Sequence, residues 1–434
     1  MASRDDTIFA LATPPGVAGV AVIRVSGPEA VRSLALAPGP LPAPRLATLR
    51  WLEDAGDRLD QALVLRFAAP DSFTGEDVVE FHTHGGRAVV QSVLRALGSL
   101  GLRPAEPGEF TWRAHANGRL DLTAVEALGD LLHAETDRQR QQAISGVSGR
   151  VATLSEGWRD TLVEARALVE ITLDWADEDV PEDTAPAVRT RLTGALDRIA
   201  GALAGGPVAE RIRGGFEVAL VGAPNAGKST LLNALAGREV ALATAVAGTT
   251  RDVLEVALDL DGLAVTLVDM AGLRAGGDLV ERLGIDRATA RADAADLRLF
   301  LHAPDAPLPE AARRLARPDD LHLATKADLA AVSTGDLAVS GATGLGLDAL
   351  SSRIAAILGE RAAAAGPVGH ARQIGHLREA ADAIRAAIET LETDPPEIVS
   401  EHIREALRAL ERLTGRAGPE AVLGAVFSRF CLGK

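Results

Sequence analysis

The sequence predicts a multidomain protein of class α/β plus α. An N-terminal α/β domain covers 1–119, a helical domain lies in two pieces at 120–213 and 363–434, and a second α/β domain at 214–362 is inserted between them. Three observations predict this. Residues 1–119 mix strand-like runs with breaks rich in Pro and Gly. The two helical pieces each lack the look of a complete domain and so pair with one another. In 214–362, strand-like and helix-like runs alternate, as in βαβ units around a parallel sheet.

The length of 434 residues suits two to four domains. Apolar residues make up 47% and charged residues 24%, a globular and not a disordered balance. The single cysteine, Cys431, excludes an internal disulfide framework and suggests a reduced, cytoplasmic setting. The opening MASRDDTIFA has no basic region followed by an apolar run, and no run approaches ~18 apolar residues, so neither a leader nor a membrane span is expected. The net charge of −15 argues against sequence-blind nucleic-acid binding through phosphates, but leaves room for a local basic patch. With no Tyr and 3% aromatics, a base-stacking platform is not expected.

In the N-terminal domain, Val17-to-Val25 and Leu63-to-Phe67 read as strands, broken by Pro14-Pro15-Gly16, a Pro-rich stretch at 38–44 and Gly85-Gly86. Residues 120–175 read as helical, with Thr123 and Glu126 at capping-box spacing. The acidic, Pro-bearing stretch Asp174 to Pro186 predicts a loop. Helix returns over 187–204, and Gly205-Gly206-Pro207 predicts a break. Late in the chain Ile374, Leu377, Ala381, Ile384, Ile388 and Leu391 form one apolar helical stripe, which Pro395-Pro396 ends. Ile403, Leu407, Leu410 and Leu413 form a second.

The chemistry begins at 222–229, GAPNAGKS, which is G-x-x-x-x-G-K-S between the strand Phe216-to-Val221 and a helix-like STLLNALAG. Gly222 and Gly227 let the backbone wrap phosphate oxygens, helped by amides and a helix N-terminus. Asn225, Ala226, Gly227, Lys228, Ser229 and Thr230 are the expected contacts. Lys228 reaches the β- and γ-phosphates, and the Ser229 hydroxyl binds Mg2+. The motif specifies a nucleoside triphosphate without choosing the base.

Base choice comes from TKAD at 325–328, after the apolar run 321–324. It resembles the N-K-x-D guanine element of GTPases. An Asp328 carboxylate can accept both guanine N1–H and N2–H2, a donor pair adenine lacks, while Lys326 packs along the base. Thr325 stands where Asn is usual. Ser340, Gly341 and Ala342 resemble the last base-contacting loop. DMAG at 269–272 resembles D-x-x-G: Asp269 holds the Mg2+ shell, Met270 and Ala271 follow, and the Gly272 amide senses the γ-phosphate. GTTRD at 248–252 resembles the first switch, with Thr250 closing over Mg2+. The residue after D-x-x-G is Leu273, which cannot orient water as the Gln of a Ras-like enzyme does. No obvious intrinsic arginine finger is identifiable: Arg251 and Arg274 are candidates, and ordinary surface roles are expected for both.

Together GxPNAGKS, GTTRD and a terminal FCLGK resemble the tRNA-modification GTPase family MnmE (TrmE). So do the opening DTIFALATPPGVAGVAVIRVSG, SFTGEDVVEFHTHGG at 72–86 and RPAEPGEFTWRAHANGRLDLTAVEALGDLLHAET at 103–136. The resemblance covers the whole chain. It implies an N-terminal α/β domain that dimerises and binds folate, a discontinuous helical domain, and an inserted Ras-like P-loop GTPase domain. It further implies a cytoplasmic homodimer working with the flavoprotein MnmG (GidA), in a heterotetrameric or larger complex, on C5 of the wobble uridine of certain tRNAs. The cofactors implied are GTP, Mg2+, K+ and a tetrahydrofolate derivative, 5-formyl or 5,10-methylene. In that family K+ and G-domain dimerisation replace an arginine finger. Asn225 matches a K+ ligand, and Thr244, Val246 and Thr249 match the loop that completes the cage, with Ala245, Ala247 and Gly248 between and beside them. Ala245 and Met270 depart from the commoner Asp and Thr. Glu281 matches the catalytic Glu that orients water through a bridging water. Arg24, Glu80, Arg119 and Lys434 match the folate pocket, Arg119 replacing Lys with its charge kept. His82 and His84 lack the further ligand spacing of a metal site. The residues leave open a second reading, a non-hydrolytic GTP-binding assembly factor acting on ribosomes or RNA.

Overall fold

A computed structural model describes residues 6–174, 184–238, 240–241, 255–270, 289–329, 337–416 and 433. The expected loop from Asp174 to Pro186 lies mostly outside these residues. The chain divides into two compact units. One is Met1–Gly129 with Val147–Arg159 and Leu407–Lys434, and the other is Asp130–Gly146 with Asp160–Ala406.

The first unit holds, among the described residues, a six-stranded sheet of order β3-β4-β5-β2-β1-β6. The strands are β1 (Ile8–Leu11), β2 (Ala18–Ser26), β3 (Thr48–Asp54), β4 (Asp57–Phe67), β5 (Val78–Gly85) and β6 (Arg103–Pro104). Period-two alternation sends Ile23, Val25, Val79 and Phe81 to one face, where they pack with Val93, Ala96 and Leu97 of α1 (Arg87–Ser99). On the other face Phe110 of α2 (Glu109–Ala116) buries against Ile8 and Ala10. The same alternation puts Arg24, Glu80 and His82 on that second face.

Helix α3 (Leu122–His133) follows, and its cap corrects the expectation. Thr123 lies inside the helix, and Asp121 is the capping residue. The Asp121 carboxylate accepts from the amides of Thr123 and Ala124 at 2.8 and 3.0 Å and from the Thr123 hydroxyl at 2.5 Å.

The second unit holds α4 (Asp137–Val147), α6 (Ala185–Ala204), α7 (Gly206–Gly214) and α11 (Ala371–Thr390), with α5 (Arg150–Asp174) and α12 (Pro396–Thr414) contributing in part. The stripe predicted in α11 is buried at Ile374, Leu377, Ala381 and Ile384 and lies against α6; Leu391 follows the helix as its cap. The expected break at Gly205-Gly206-Pro207 is instead a helix-to-helix joint, with Gly206 and Pro207 opening α7. A Cβ on Gly205 would lie 2.2 Å from the Gly366 nitrogen, so the joint needs glycine.

The sheet of this unit has, among the described residues, seven strands in the order β13-β12-β11-β7-β10-β9-β8. They are β7 (Phe216–Gly222), β8 (Val240–Ala241), β9 (Glu255–Leu260), β10 (Leu263–Asp269), β11 (Leu297–His302), β12 (Leu321–Ala324) and β13 (Leu337–Ala338). β7, β10, β11, β12 and β13 are parallel, while β9 pairs antiparallel with β10 and β8 antiparallel with β9. The strands are near-continuous apolar runs because helices cover both faces, including α8 (Lys228–Ala236), the short α9 (Glu310–Arg313) and α10 (Leu347–Ala362). Gly222, Asp269, His302 and Ala324 therefore end at one edge, where open α/β sheets bind ligands.

Helix α4 touches this sheet's hairpin. The Arg138 amide donates to the carbonyl of Gly262, in the β9–β10 turn, at 3.0 Å. The Gln139 and Gln142 side-chain amides donate to the carbonyls of Arg213 and Ala209 in α7, each at 3.0 Å. Among the described residues no helix is long and apolar enough to cross a membrane.

Candidate functional site

Residues Val218 to Val221 of β7 are fully buried, so the chain leaves the sheet at a fixed point. It turns into α8 through left-handed backbone at Asn225 (φ 63°) and Gly227 (φ 93°). A short polar side chain makes Asn one of the few residues that tolerate this region. The Lys228 ammonium is buried and arches back to donate to the carbonyls of Gly222 and Ala223 at 3.0 and 3.1 Å.

The next residue meets the neighbouring strand. The Ser229 hydroxyl donates to Asp269 Oδ2 at 2.7 Å. The other Asp269 oxygen, Oδ1, is buried and meets no donor among the described residues. A buried carboxylate oxygen without a donor is costly. A hydroxyl beside a carboxylate is also the hard-oxygen donor set that suits Mg2+. Ser229 and Asp269 therefore fit that ion on their chemistry. Met270 is buried, and its amide donates to Leu220 at 3.4 Å.

The two loops predicted to read the base meet the start of α8. Thr325 is buried; its amide donates to the His302 carbonyl at 2.9 Å and its hydroxyl to the Ala226 carbonyl at 2.8 Å. One hydroxyl thus ties the TKAD loop to the phosphate loop. Lys326 is left-handed (φ 57°), and its ammonium bridges both Asp305 oxygens at 2.8 Å. That hydrogen bond holds the Asp305 carboxyl below its usual range. Asp328 is exposed in the turn that follows. Ser340 is buried, Ala342 is exposed, and a Cβ on Gly341 would lie 2.9 Å from the Thr230 carbonyl, so this loop rests on the first turn of α8. Thr244, Ala245, Val246, Ala247, Gly248, Thr249, Thr250, Ala271, Gly272 and Glu281 lie outside the described residues, as does Lys434.

In the first unit, Arg24 and Glu80 face each other across β2 and β5, with Arg24 Nε donating to Glu80 Oε1 at 2.9 Å. The guanidinium lies 5.5 Å from the Phe73 ring centre and 5.8 Å from that of Phe110, within cation–π range. Arg24 also donates to the Gly433 carbonyl at 3.4 Å. A Cβ on Gly433 would lie 2.3 Å from Ala12 Cα, so only glycine lets that residue sit here. His82 Nε2 lies 3.1 Å from Glu80 Oε2. The stem of Arg119 lies against Gly75 in the loop before β5. No group of three or more His, Cys, Asp or Glu suited to a metal occurs among the described residues.

The profile of the MnmE helical domain matches residues 122–431, and that of the GTP-binding protein TrmE N-terminus matches 7–119. The chain belongs to the MnmE (TrmE) family of tRNA modification GTPases. It is 52% identical over 433 residues to the tRNA modification GTPase MnmE of Ruegeria pomeroyi, covering 99% of this chain and 100% of that one. The MnmE proteins of Cereibacter sphaeroides (strain ATCC 17025 / ATH 2.4.3) and Roseobacter denitrificans are 51% and 50% identical at the same coverage. As an MnmE-family chain it is a GTP hydrolase with an N-terminal TrmE domain, a helical domain and a phosphate-loop α/β domain.

Sequence reading missed Asp305 and the contact of His82 with Glu80. Asp305 is a lone carboxylate in a loop, and only the folded backbone brings it to Lys326. His82 had a signal: it stands two residues from Glu80 on a strand, hence on the same face.

Proposed function

We propose that this chain hydrolyses GTP in a K+-dependent way, as a homodimer. In this reading it works with the flavoprotein MnmG on C5 of the wobble uridine of certain tRNAs, in the cytoplasm. The observation that carries the GTP part is the convergence of the Ser229–Asp269 pair, the buried Lys228 and the Thr325–Ala226 bond on the start of α8. Family membership over nearly the whole chain supports the tRNA part.

Residues 1–119 form the folate-binding and dimerising domain in this reading, 214–362 the GTPase domain, and 120–213 with 363–434 the helical domain. Lys228 holds the β- and γ-phosphates. Asp328 reads the guanine edge while Lys326 lies along the base. Ser229 and Thr250, with Asp269, would hold Mg2+, which would offset phosphate charge. Asn225 with Thr244, Val246 and Thr249 hold K+ where other GTPases use a guanidinium. Glu281 orients the attacking water, a task Leu273 cannot perform. Arg24, Glu80, Arg119 and Lys434 bind the tetrahydrofolate derivative.

The test is GTP turnover by the full chain in KCl against NaCl. K+ stimulation is the expected result; equal rates in the two salts remove the cage. Glu281→Ala is expected to keep GTP affinity and lose turnover, and a loss of affinity would overturn its role. Nucleoside mass spectrometry of tRNA from a deletion strain is expected to lack the wobble modification. Persistence of that modification would favour the assembly-factor reading.

A further inference from the structure

A carboxylate that recognises a ligand works only if it is held in one orientation before the ligand arrives. Glu80 is mostly buried, and its two oxygens are held from opposite sides. Arg24 Nε donates to Oε1 at 2.9 Å, and His82 Nε2 lies 3.1 Å from Oε2. Arg24 cannot fix the carboxylate plane alone. Its guanidinium is shared among Glu80, the Gly433 carbonyl and the faces of Phe73 and Phe110, so it supplies one bond to one oxygen.

The second bond is what stops the carboxylate from turning about its last torsion, which is otherwise broad. Strand alternation makes the contact reliable, because residues 80 and 82 of β5 lie on the same face of a paired central strand. A carboxylate next to it favours the imidazole tautomer with hydrogen on Nε2.

We infer that His82 is a positioning residue of the pocket proposed for folate, a role that rests on the folate reading above. Through its bond to Oε2 it fixes Glu80 so that the remaining lone pairs of the two oxygens face a flat heterocycle with two adjacent N–H donors. Each carboxylate oxygen has room for about two donors, so one used site on each leaves a matched pair free. The aminopyrimidinone edge of a pterin has that chemistry.

The experiment measures 5-formyl-tetrahydrofolate binding to the full chain by calorimetry, with circular-dichroism melting as the check on folding. His82→Ala is expected to weaken binding at least tenfold. His82→Gln keeps a side-chain N–H donor and is expected to recover most of the loss; if the alanine variant misfolds, the glutamine variant against wild type carries the comparison, within threefold being expected. In a Glu80→Gln background, His82→Ala is expected to add less than twofold, since neighbours acting through one group are not additive. Unchanged binding by folded His82→Ala overturns the inference and leaves the folate reading standing. So does a folded His82→Gln tenfold weaker than wild type, or full additivity with Glu80→Gln. A wild-type chain that does not bind the compound overturns the folate reading itself, and this inference with it.

Discussion

Thr325 does with a single hydroxyl what ties two loops of the nucleotide site together. It stands where related motifs use an amide, and its Oγ1 has one proton to give. The shorter of its two contacts, 2.8 Å against 3.3 Å to the His302 carbonyl, gives that proton to the fully buried carbonyl of Ala226. Thr325→Val keeps the shape and removes the donor. It is expected to cost about 1–3 kcal/mol, the range for leaving a buried acceptor unmet. A fluorescent GDP analogue should then dissociate roughly tenfold faster, since 1.4 kcal/mol is about a factor of ten. Dissociation at the wild-type rate would remove this bond from the site. Asp328 acts at the same scale: Asp328→Asn is expected to erase the preference for GTP over ATP in competition binding.

Helix α10 shows how an element enters the fold. Gly346 sits before it at φ 74°, and a Cβ there would lie 2.1 Å from the Ala338 carbonyl of β13. Left-handed backbone costs a residue with a side chain about 1–2 kcal/mol, and the clash with main chain adds to that. Gly346→Ala is expected to lower the melting temperature of the second unit by several degrees; an unchanged melt would contradict this geometry. Elements of this kind were legible in the sequence where local chemistry sets them. The strand before GAPNAGKS, the helix after it and the stripe of α11 all follow from periodicity. The Thr123 spacing predicts an entry to α3 two residues too late, because Asp121 and Thr123 are both good caps and only the backbone decides between them. The α6–α7 joint was read as a break because Gly-Gly-Pro marks turns and helix starts alike. In the site, contiguous motifs were legible. The pairing Asp305–Lys326 is not, since it depends on two loops meeting in space, whereas His82–Glu80 carries a signal in the two-residue spacing along one strand.

At the scale of the molecule, the first unit is bound together by a charged cluster under α2. Arg113 is nearly inaccessible and donates to Asp6 at 2.6 Å and Glu109 at 3.1 Å, while Arg103 donates to the same two carboxylates. Burial pushes the Glu109 carboxyl up, but hydrogen bonds from Arg103, the Glu106 amide and Arg113 outweigh it, and its pKa lies below the usual 4.5. Asp6 is likewise held below 3.8, burial being outweighed by Arg103 and Arg113. A carboxylate with a lowered folded pKa stabilises the fold fully above its unfolded value and loses that contribution as pH falls through the folded one. Melting temperature is therefore expected to be insensitive to these groups above about pH 4.5 and to drop below it. Glu109→Gln should lower the melt at pH 7 and flatten its acid slope. An acid slope identical to wild type would show that the cluster is not the source.

The bond from Arg138 to the turn at Gly262 has a consequence for reading the state of the nucleotide domain from a distance. The β9–β10 hairpin leads to Asp269, and its far end is held by an amide of α4. Sliding of those two strands along the sheet would strain that bond. The rate at which the Arg138 amide trades its hydrogen for deuterium is thus a built-in gauge of hairpin displacement, readable without a label and without touching the site itself.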